Sequence, residues 1–250
     1  MNTLPGQYSY HRQVFFGIIL LAFVCFLIRT AWISDDAMIT FRSVLNFIHG
    51  YGMGWNIDER VQAFTHPLWF FVLSAASYIS GEIFYTTIVV SIILSLCSIW
   101  ILLSRIALSL SWTVLCVMTL GFSKAFIEYS TSGLENPLSY LLLGLFIWQF
   151  YSVKEPSTHR LIAVIGTGSL IILNRFDLAL LVMPALLYYA FTKYKSRQIV
   201  LASALGSVPL VAWLVFSTLY YGFPFPNTAY AKLSTGVPQT ELIVQGIMYI

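Results

Sequence analysis

Residues 14–33 read VFFGIILLAFVCFLIRTAWI, with Arg29 as the sole charge. Crossing the hydrocarbon core of a bilayer takes ~20 apolar residues in a helix, so this stretch is a membrane span. His11 and Arg12 precede it and no small-x-small cleavage site follows, which reads as an uncleaved signal-anchor. Further apolar runs lie at 67–80, 83–103, 106–122, 137–152, 161–173, 178–192 and 199–221, and another begins at 241–250. Hydrophobic residues make up 58% of the 250 and charged residues 9%, against about 25% charged in a soluble domain. Thirteen Lys and Arg with ten Asp and Glu could not cover the surface of a soluble fold this size. Disorder, a secreted disulfide scaffold and a cytosolic enzyme are excluded together. The three cysteines, Cys25, Cys97 and Cys116, lie inside apolar runs and read as small apolar filler.

The predicted fold is all-α, a polytopic integral membrane helical bundle. No internal repeat or interdomain linker breaks it, so residues 1–250 form a single transmembrane module. Its first span is 13–33, its first outer loop 34–66, and its remaining spans and short loops 67–250. The chain stops at Ile250 without a polar tail, which reads as a truncation.

Sidedness follows Lys and Arg. With Arg12 in the cytoplasm and Lys193, Lys195, Arg197, Lys154 and Arg160 also inside, the segments 34–66, 124–136, 174–177 and 222–240 lie outside. That assignment allows 67–103 only one crossing. The run 67–80 is short for a span, so it is expected to lie at or dip into the outer face while 83–103 crosses. Nine of the ten acids then fall outside, all but Glu155, and seven basic residues fall inside. Acids contribute little to insertion bias, so their collection on one face points to a site.

The outer loop opens on Asp35-Asp36 directly after the first span. Two adjacent carboxylates at a membrane surface are costly without a cation, a metal or a proton beside them. Ile39, Val44, Phe47 and Ile48 recur near one helical face, and Ser34 or Asp35 is placed to cap it. An amphipathic helix is therefore expected on the membrane surface, ending at the glycine-rich 50–54. Arg42, Glu59 and Arg60 belong to the same loop. Three further polar stretches follow: Ser132-Gly-Leu-Glu135 entering a helix at Pro137, Asn174-Arg175-Phe176-Asp177 between two spans, and the loop 220–232 with Pro224, Pro226, Asn227 and Lys232. Glu135 could cap its helix or bind a ligand, and Arg175 with Asp177 reads first as a local ion pair. Two prolines and a glycine mark 220–232 as ordered loop. Lone His49 and His66 read as hydrogen-bonding side chains more readily than as metal ligands.

These four stretches, in this order, resemble the polyprenyl-phosphate-dependent glycosyltransferases of the C-type membrane fold (GT-C). Within that group they are most similar to the terminal arabinofuranosyltransferases of mycobacterial cell walls and their uncharacterised bacterial relatives. The first loop keeps Asp35, Asp36, Ala37, Ile39, Arg42, Gly50, Gly52, Trp55, Asn56, Glu59, Val61, Thr65, Pro67, Leu68 and Trp69. The later stretches keep Ser132-Gly133-Leu134-Glu135, Arg175 with Asp177, and Pro226-Asn227-Thr228. Departures are Gln62-Ala63-Phe64 where the family has Glu-Gly-Tyr, Met38 for an aromatic, Asn136 for threonine, and Phe176 and Leu178 for the Pro and Gly of RPDG. They leave the reaction class standing and leave the sugar open.

The resemblance implies inverting transfer of a sugar from a polyprenyl-phosphate donor to a glycan or lipid-linked acceptor. The reaction would occur on the extracytoplasmic face of a bacterial inner membrane, among membrane lipids and with no nucleic-acid partner. Asp35 or Asp36 would be the base, Asp36 the favoured one. Arg42, Arg175 and Lys232 would meet the phosphate, with Glu59, Arg60, Glu135, Asp177 and Asn227 in the substrate site. Some C-type enzymes use a divalent metal at this cluster, and Asp35, Asp36 and Glu135 are the residues it would engage. Two readings from other classes compete: a transporter or flippase, which predicts acids at mid-membrane, and a non-catalytic assembly subunit, in which the aspartates are dispensable.

Overall fold

A computed structural model describes residues 5–107, 109–152, 156–233 and 236–248, with side chains described from Val14 onward except at 232, 233 and 239. Among the described residues every regular element is helical. Helix α1 (Pro5–Arg29) is followed by α2 (Asp35–Ile48), α3 (Pro67–Ser80) and α4 (Phe84–Ile101), the last prolonged by a π-helical turn to Ile106. Then come α5 (Leu110–Phe122), α6 (Lys124–Tyr129), α7 (Asn136–Tyr151), α8 (Thr158–Asn174), a 3₁₀ turn at Phe176–Leu178 and α9 (Ala179–Lys193). Helices α10 (Ser196–Gly206), α11 (Val208–Tyr221), α12 (Asn227–Leu233) and α13 (Gln239–Met248) complete the chain.

Two helical stretches, Phe84–Ile106 and Phe176–Lys193, are long and apolar enough to cross a membrane, and the bent pair α10–α11 makes a third if it is one span. The apolar helices Val14–Arg29, Pro67–Ser80, Leu110–Phe122 and Thr158–Asn174 are shorter. The expected run 199–221 is thus two helices, bent by 49°. Pro209 lies in the first turn of α11, where its missing N–H costs nothing, whereas a helix continued from α10 would meet its ring. The loop expected over 220–232 is helical from Asn227 onward. Pro226 ends the extended part and precedes the first turn instead of interrupting it.

Helix α8 is the centre of the bundle, packed by α3, α7, α9, α10 and α11. Small residues set those distances: a Cβ on Gly168 would meet Leu186 Cδ1 at 2.8 Å, and one on Gly206 would meet Ile165 Cγ2 at 2.8 Å. Between α4 and α7 the same purpose is served by Thr87, Ser91, Ser95 and Ser98, all buried along one stripe of α4. Short side chains let apolar helices approach closely where lipid offers no hydrophobic drive. A second cluster joins α1 to α4 and α6 through Phe16, Phe23, Leu27, Ile99, Leu103 and Phe126. All three cysteines are free.

Helix α2 forms where the first loop predicts it, but it buries Ala37, Thr40, Phe41, Ser43 and Val44, while Ile39 faces outward. Val44 alone of the four expected apolar residues is fully buried. The buried side takes small and hydroxyl-bearing residues because it docks on a polypeptide turn and on α3, not on a hydrocarbon surface alone.

Candidate active site

Ser34 caps α2, its Oγ accepting the Ala37 N–H at 3.2 Å. Asp35 and Asp36 are thereby released from capping, and both are exposed on the first turn; Asp35 Oδ1 accepts the neighbouring Asp36 N–H at 3.0 Å. The chain just ahead is fixed by the Ser34 N–H donating to the Ser132 carbonyl at 2.9 Å. Gly133 sits against this turn with φ +82°, and a Cβ there would lie 2.7 Å from Ala37 Cβ. From the other side the Trp69 indole N–H donates to the Gly133 carbonyl at 3.0 Å. The DD turn, the SGLE stretch and the start of α3 are therefore one packed unit.

Glu135, the N-cap residue of α7, is 9% exposed and is held by a histidine and by an arginine. His66 Nδ1 lies 3.1 Å from Oε2 and Arg175 Nη1 3.3 Å from Oε1. Burial opposes its ionisation, but the His66 hydrogen bond and the Arg175 charge outweigh it and hold the carboxyl below its ordinary range. Arg175 grips Asp177 with two hydrogen bonds, Nε to Oδ1 at 3.1 Å and Nη2 to Oδ2 at 2.7 Å, and donates to Asn136 Oδ1 at 3.1 Å. The expected local Arg–Asp pair is present and is extended to Glu135. Beneath it the Asn174 amide donates to the Glu135 carbonyl and to Ser139 Oγ at 3.1 and 2.9 Å.

A cavity of about 320 Å³ opens over this network. Thr65 comes to it from the first loop, Glu135 from SGLE, Arg175 and Asp177 from the third stretch, and Pro226 and Thr228 from the fourth. Thr228 Oγ1 and Asn227 Oδ1 are buried with no hydrogen-bond partner among the described residues. A cavity lined by Thr228, whose hydroxyl is unpaired, and by an acid–guanidinium wall suits a ligand rich in hydroxyls.

Arg42 and Arg60 are tied to the loop walls. The Arg42 Nε–H donates to the Trp55 carbonyl at 3.0 Å and the guanidinium lies 4.5 Å over the Trp55 ring. Arg60 lies 5.1 Å over the Tyr220 ring, and Glu59 is exposed beside it. The returning loop is held by the Tyr221 hydroxyl donating to the Met53 carbonyl at 2.7 Å. Gln62, fully buried, donates to the Phe64 carbonyl and has Ser217 Oγ 3.2 Å from its Oε1. The side chain of Lys232 lies outside the described residues. No three His, Cys, Asp or Glu side chains converge to hold a metal ion among the described residues, so Asp35, Asp36 and Glu135 do not form one ligand set. His66 does hydrogen-bond, as its sequence reading expects, but that reading names neither of its partners and misses Thr40, whose Oγ1 lies 2.8 Å from His66 Nε2. A lone histidine carries no spacing signal when its acid partner is far along the chain.

The chain is 28% identical over 239 residues to a terminal β-(1→2)-arabinofuranosyltransferase of Mycobacterium tuberculosis, a match covering 88% of this chain and 37% of that protein. It is 28% identical over 230 residues to a protein of the same name from Corynebacterium glutamicum, covering 80% of this chain and 33% of the relative. The chain thus spans about a third of the length of the curated relatives it matches. No protein-family model matches it. No solved structure matches it. The resemblance carried by the four stretches is thus a similarity along most of the chain.

Proposed function

We propose that this chain carries the catalytic part of a polytopic membrane glycosyltransferase of the GT-C kind. It would move a sugar from a polyprenyl-phosphate donor to a glycan or lipid-linked acceptor on the extracytoplasmic face, with inversion. One observation carries the reading: four stretches far apart in sequence supply Thr65, Glu135, Arg175 with Asp177, and Thr228 to a single cavity. The similarity to two proteins named as arabinofuranosyltransferases supports the same reaction class.

In the proposed step an aspartate takes the proton of the acceptor hydroxyl. The oxygen attacks the anomeric carbon, and the bond to the phosphate oxygen breaks, leaving the lipid phosphate with the electron pair. A phosphate is already a good leaving group, so a base and stabilising cations are what the reaction needs. Asp36 is the better base by helical geometry. At ~100° per residue it falls within about 40° of Thr40, on the edge of the buried face, whereas Asp35 points about 140° away.

Arg175 already faces two carboxylates and Asn136, which leaves it one N–H of five. We assign Arg175, Glu135, Asp177 and Asn227 to holding hydroxyls, and the charge of the departing phosphate to Arg42, Arg60 and Lys232. Glu59 completes the loop side of the substrate site.

The test is a lipid and glycan profile of cells lacking the gene, complemented by wild type or by Asp35→Asn/Asp36→Asn. The expected result is accumulation of a polyprenyl-phosphate sugar, or a glycan short of one terminal residue, reversed by wild type alone. Losing the base lowers turnover by roughly 10²–10⁴-fold. Full complementation by the double variant would remove the aspartates from the chemistry and favour a structural or transport role.

A further inference from the structure

His66 stands between α2 and the start of α7. The ring is 6% exposed. Nε2 faces Thr40 Oγ1 at 2.8 Å on α2, and Nδ1 faces Glu135 Oε2 at 3.1 Å at the start of α7, with Thr65 Oγ1 3.3 Å away. The oxygen opposite Nδ1 belongs to a carboxylate, so Nδ1 carries the proton. Thr40 has no other hydrogen-bond partner among the described residues, so its hydroxyl donates to Nε2. The neutral Nδ1–H form satisfies every group, which is how a tautomer is assigned.

The order hydroxyl–imidazole–carboxylate is that of a nucleophile triad. Thr40, however, is 1% exposed, and no substrate reaches its oxygen. The arrangement holds two elements together and attacks nothing.

We propose that His66 is the positioning residue of the site. Its two nitrogens would fix the α2 turn carrying Asp36 at a set distance from Glu135. Asp36 lies about one helical turn before Thr40, ~6 Å along the axis, so tilting α2 moves the base relative to the acceptor pocket. This rests on the transferase reading for its kinetic consequence and not for its geometry.

Three substitutions and one spectrum test it. His66→Asn keeps a donor at the Nδ1 position, and His66→Gln keeps an acceptor near the Nε2 position. His66→Leu keeps the volume and neither polar contact. A misplacement of about 1 Å costs on the order of 10²-fold. The expected kcat losses are accordingly about 10-fold for Asn and Gln and about 100-fold for Leu, with KM changed less than kcat and the Leu variant less stable than wild type but still folded at the assay temperature. Wild-type kcat in a folded His66→Leu protein overturns the proposal, as does a Leu variant whose loss is wholly explained by unfolding.

The spectrum is ¹⁵N resonance of labelled histidine in lipid nanodiscs. The expected state is Nδ1–H with unprotonated Nε2, and Thr40→Val shifts the Nε2 resonance of His66 alone. An Nε2–H tautomer, or a spectrum blind to Thr40→Val, rejects the clamp. This readout needs no turnover. If wild type transfers no sugar, the transferase reading fails while the spectrum still decides the role of His66.

Discussion

Glu135 shows how a buried carboxylate is kept charged by its neighbours. Its burial favours the neutral acid, and the His66 and Arg175 contacts reverse that preference. A folded-state value below the unfolded one has a fixed consequence for acid stability. The stabilisation from its ionised form is complete above the unfolded value of about 4.3 and disappears as pH falls through the folded value. Glu135→Gln leaves the buried His66 Nδ1–H and the Arg175 guanidinium without this anionic partner, a cost of about 1–3 kcal/mol at neutral pH. Thermal unfolding in detergent from pH 7 to pH 3.5 should therefore show a wild-type advantage that is constant down to about pH 4.3 and then shrinks. An advantage that grows toward acid would mean that burial wins and that the carboxyl is protonated in the folded state. The acid itself was legible in the sequence, in SGLE before Pro137. Its partner was not, because a histidine at 66 and a glutamate at 135 share no periodicity, and only the packing of α2, α3 and α7 brings them together.

At the scale of elements, the docking of α2 depends on a glycine. Gly133 turns through φ +82° where a side chain would run into Ala37 Cβ, whereas Gly81, at φ +74°, closes α3 with open space on the side where a Cβ would stand. Alanine in the left-handed region costs roughly 1–2 kcal/mol in either place. Gly133→Ala adds a steric clash that Gly81→Ala does not, and the excess should return when Ala37 is also made glycine. Melting temperatures of the two single variants and of Gly133→Ala/Ala37→Gly measure it; equal losses for both single variants would mean that the turn does not press on α2. The helices themselves were readable as apolar runs, and α3, α7, α8 and α9 begin and end within a few residues of those runs. The break between α10 and α11 escaped that reading because Gly206 and Pro209 sit inside a run whose average hydropathy hides them. The inward face of α2 escaped it for the opposite reason, since Thr40 and Ser43 look like surface residues until His66 and α3 cover them.

Across the whole molecule the charges separate along α8. Its first turn carries Thr158, which accepts a hydrogen bond from the Gln198 amide, and nearby Arg160 donates to the Gln149 carbonyl. Arg105 lies over Trp148 and Lys193 over Tyr189 at the same end. The last turn carries Asn174 under Glu135, and seventeen residues of helix put the two ends ~25 Å apart. The sidedness read from Lys and Arg would put these two ends on opposite faces of a membrane, and α3 is the place to test it. Fourteen residues reach ~21 Å, short of a ~30 Å hydrocarbon core. Helix α3 also runs beside α2 along its length, from Phe47 against Phe70 and Phe71 to the cleft shared by His49, Tyr78 and Gly81. Packing on Phe47 near its start and a cleft shared with His49 at its end favour α3 staying on the side where α2 lies. Single cysteines in a chain cleared of Cys25, Cys97 and Cys116 decide it with a membrane-impermeant maleimide. Asp58→Cys and Ser80→Cys are expected to label on intact spheroplasts, and Lys195→Cys only after permeabilisation. Labelling of Ser80→Cys only after permeabilisation would make α3 a crossing and put Glu82 on the face opposite Asp58. Labelling of Asp58→Cys and Lys195→Cys from the same side would dissolve the acidic face altogether, and with it the argument that a one-sided cluster of carboxylates serves a substrate presented there.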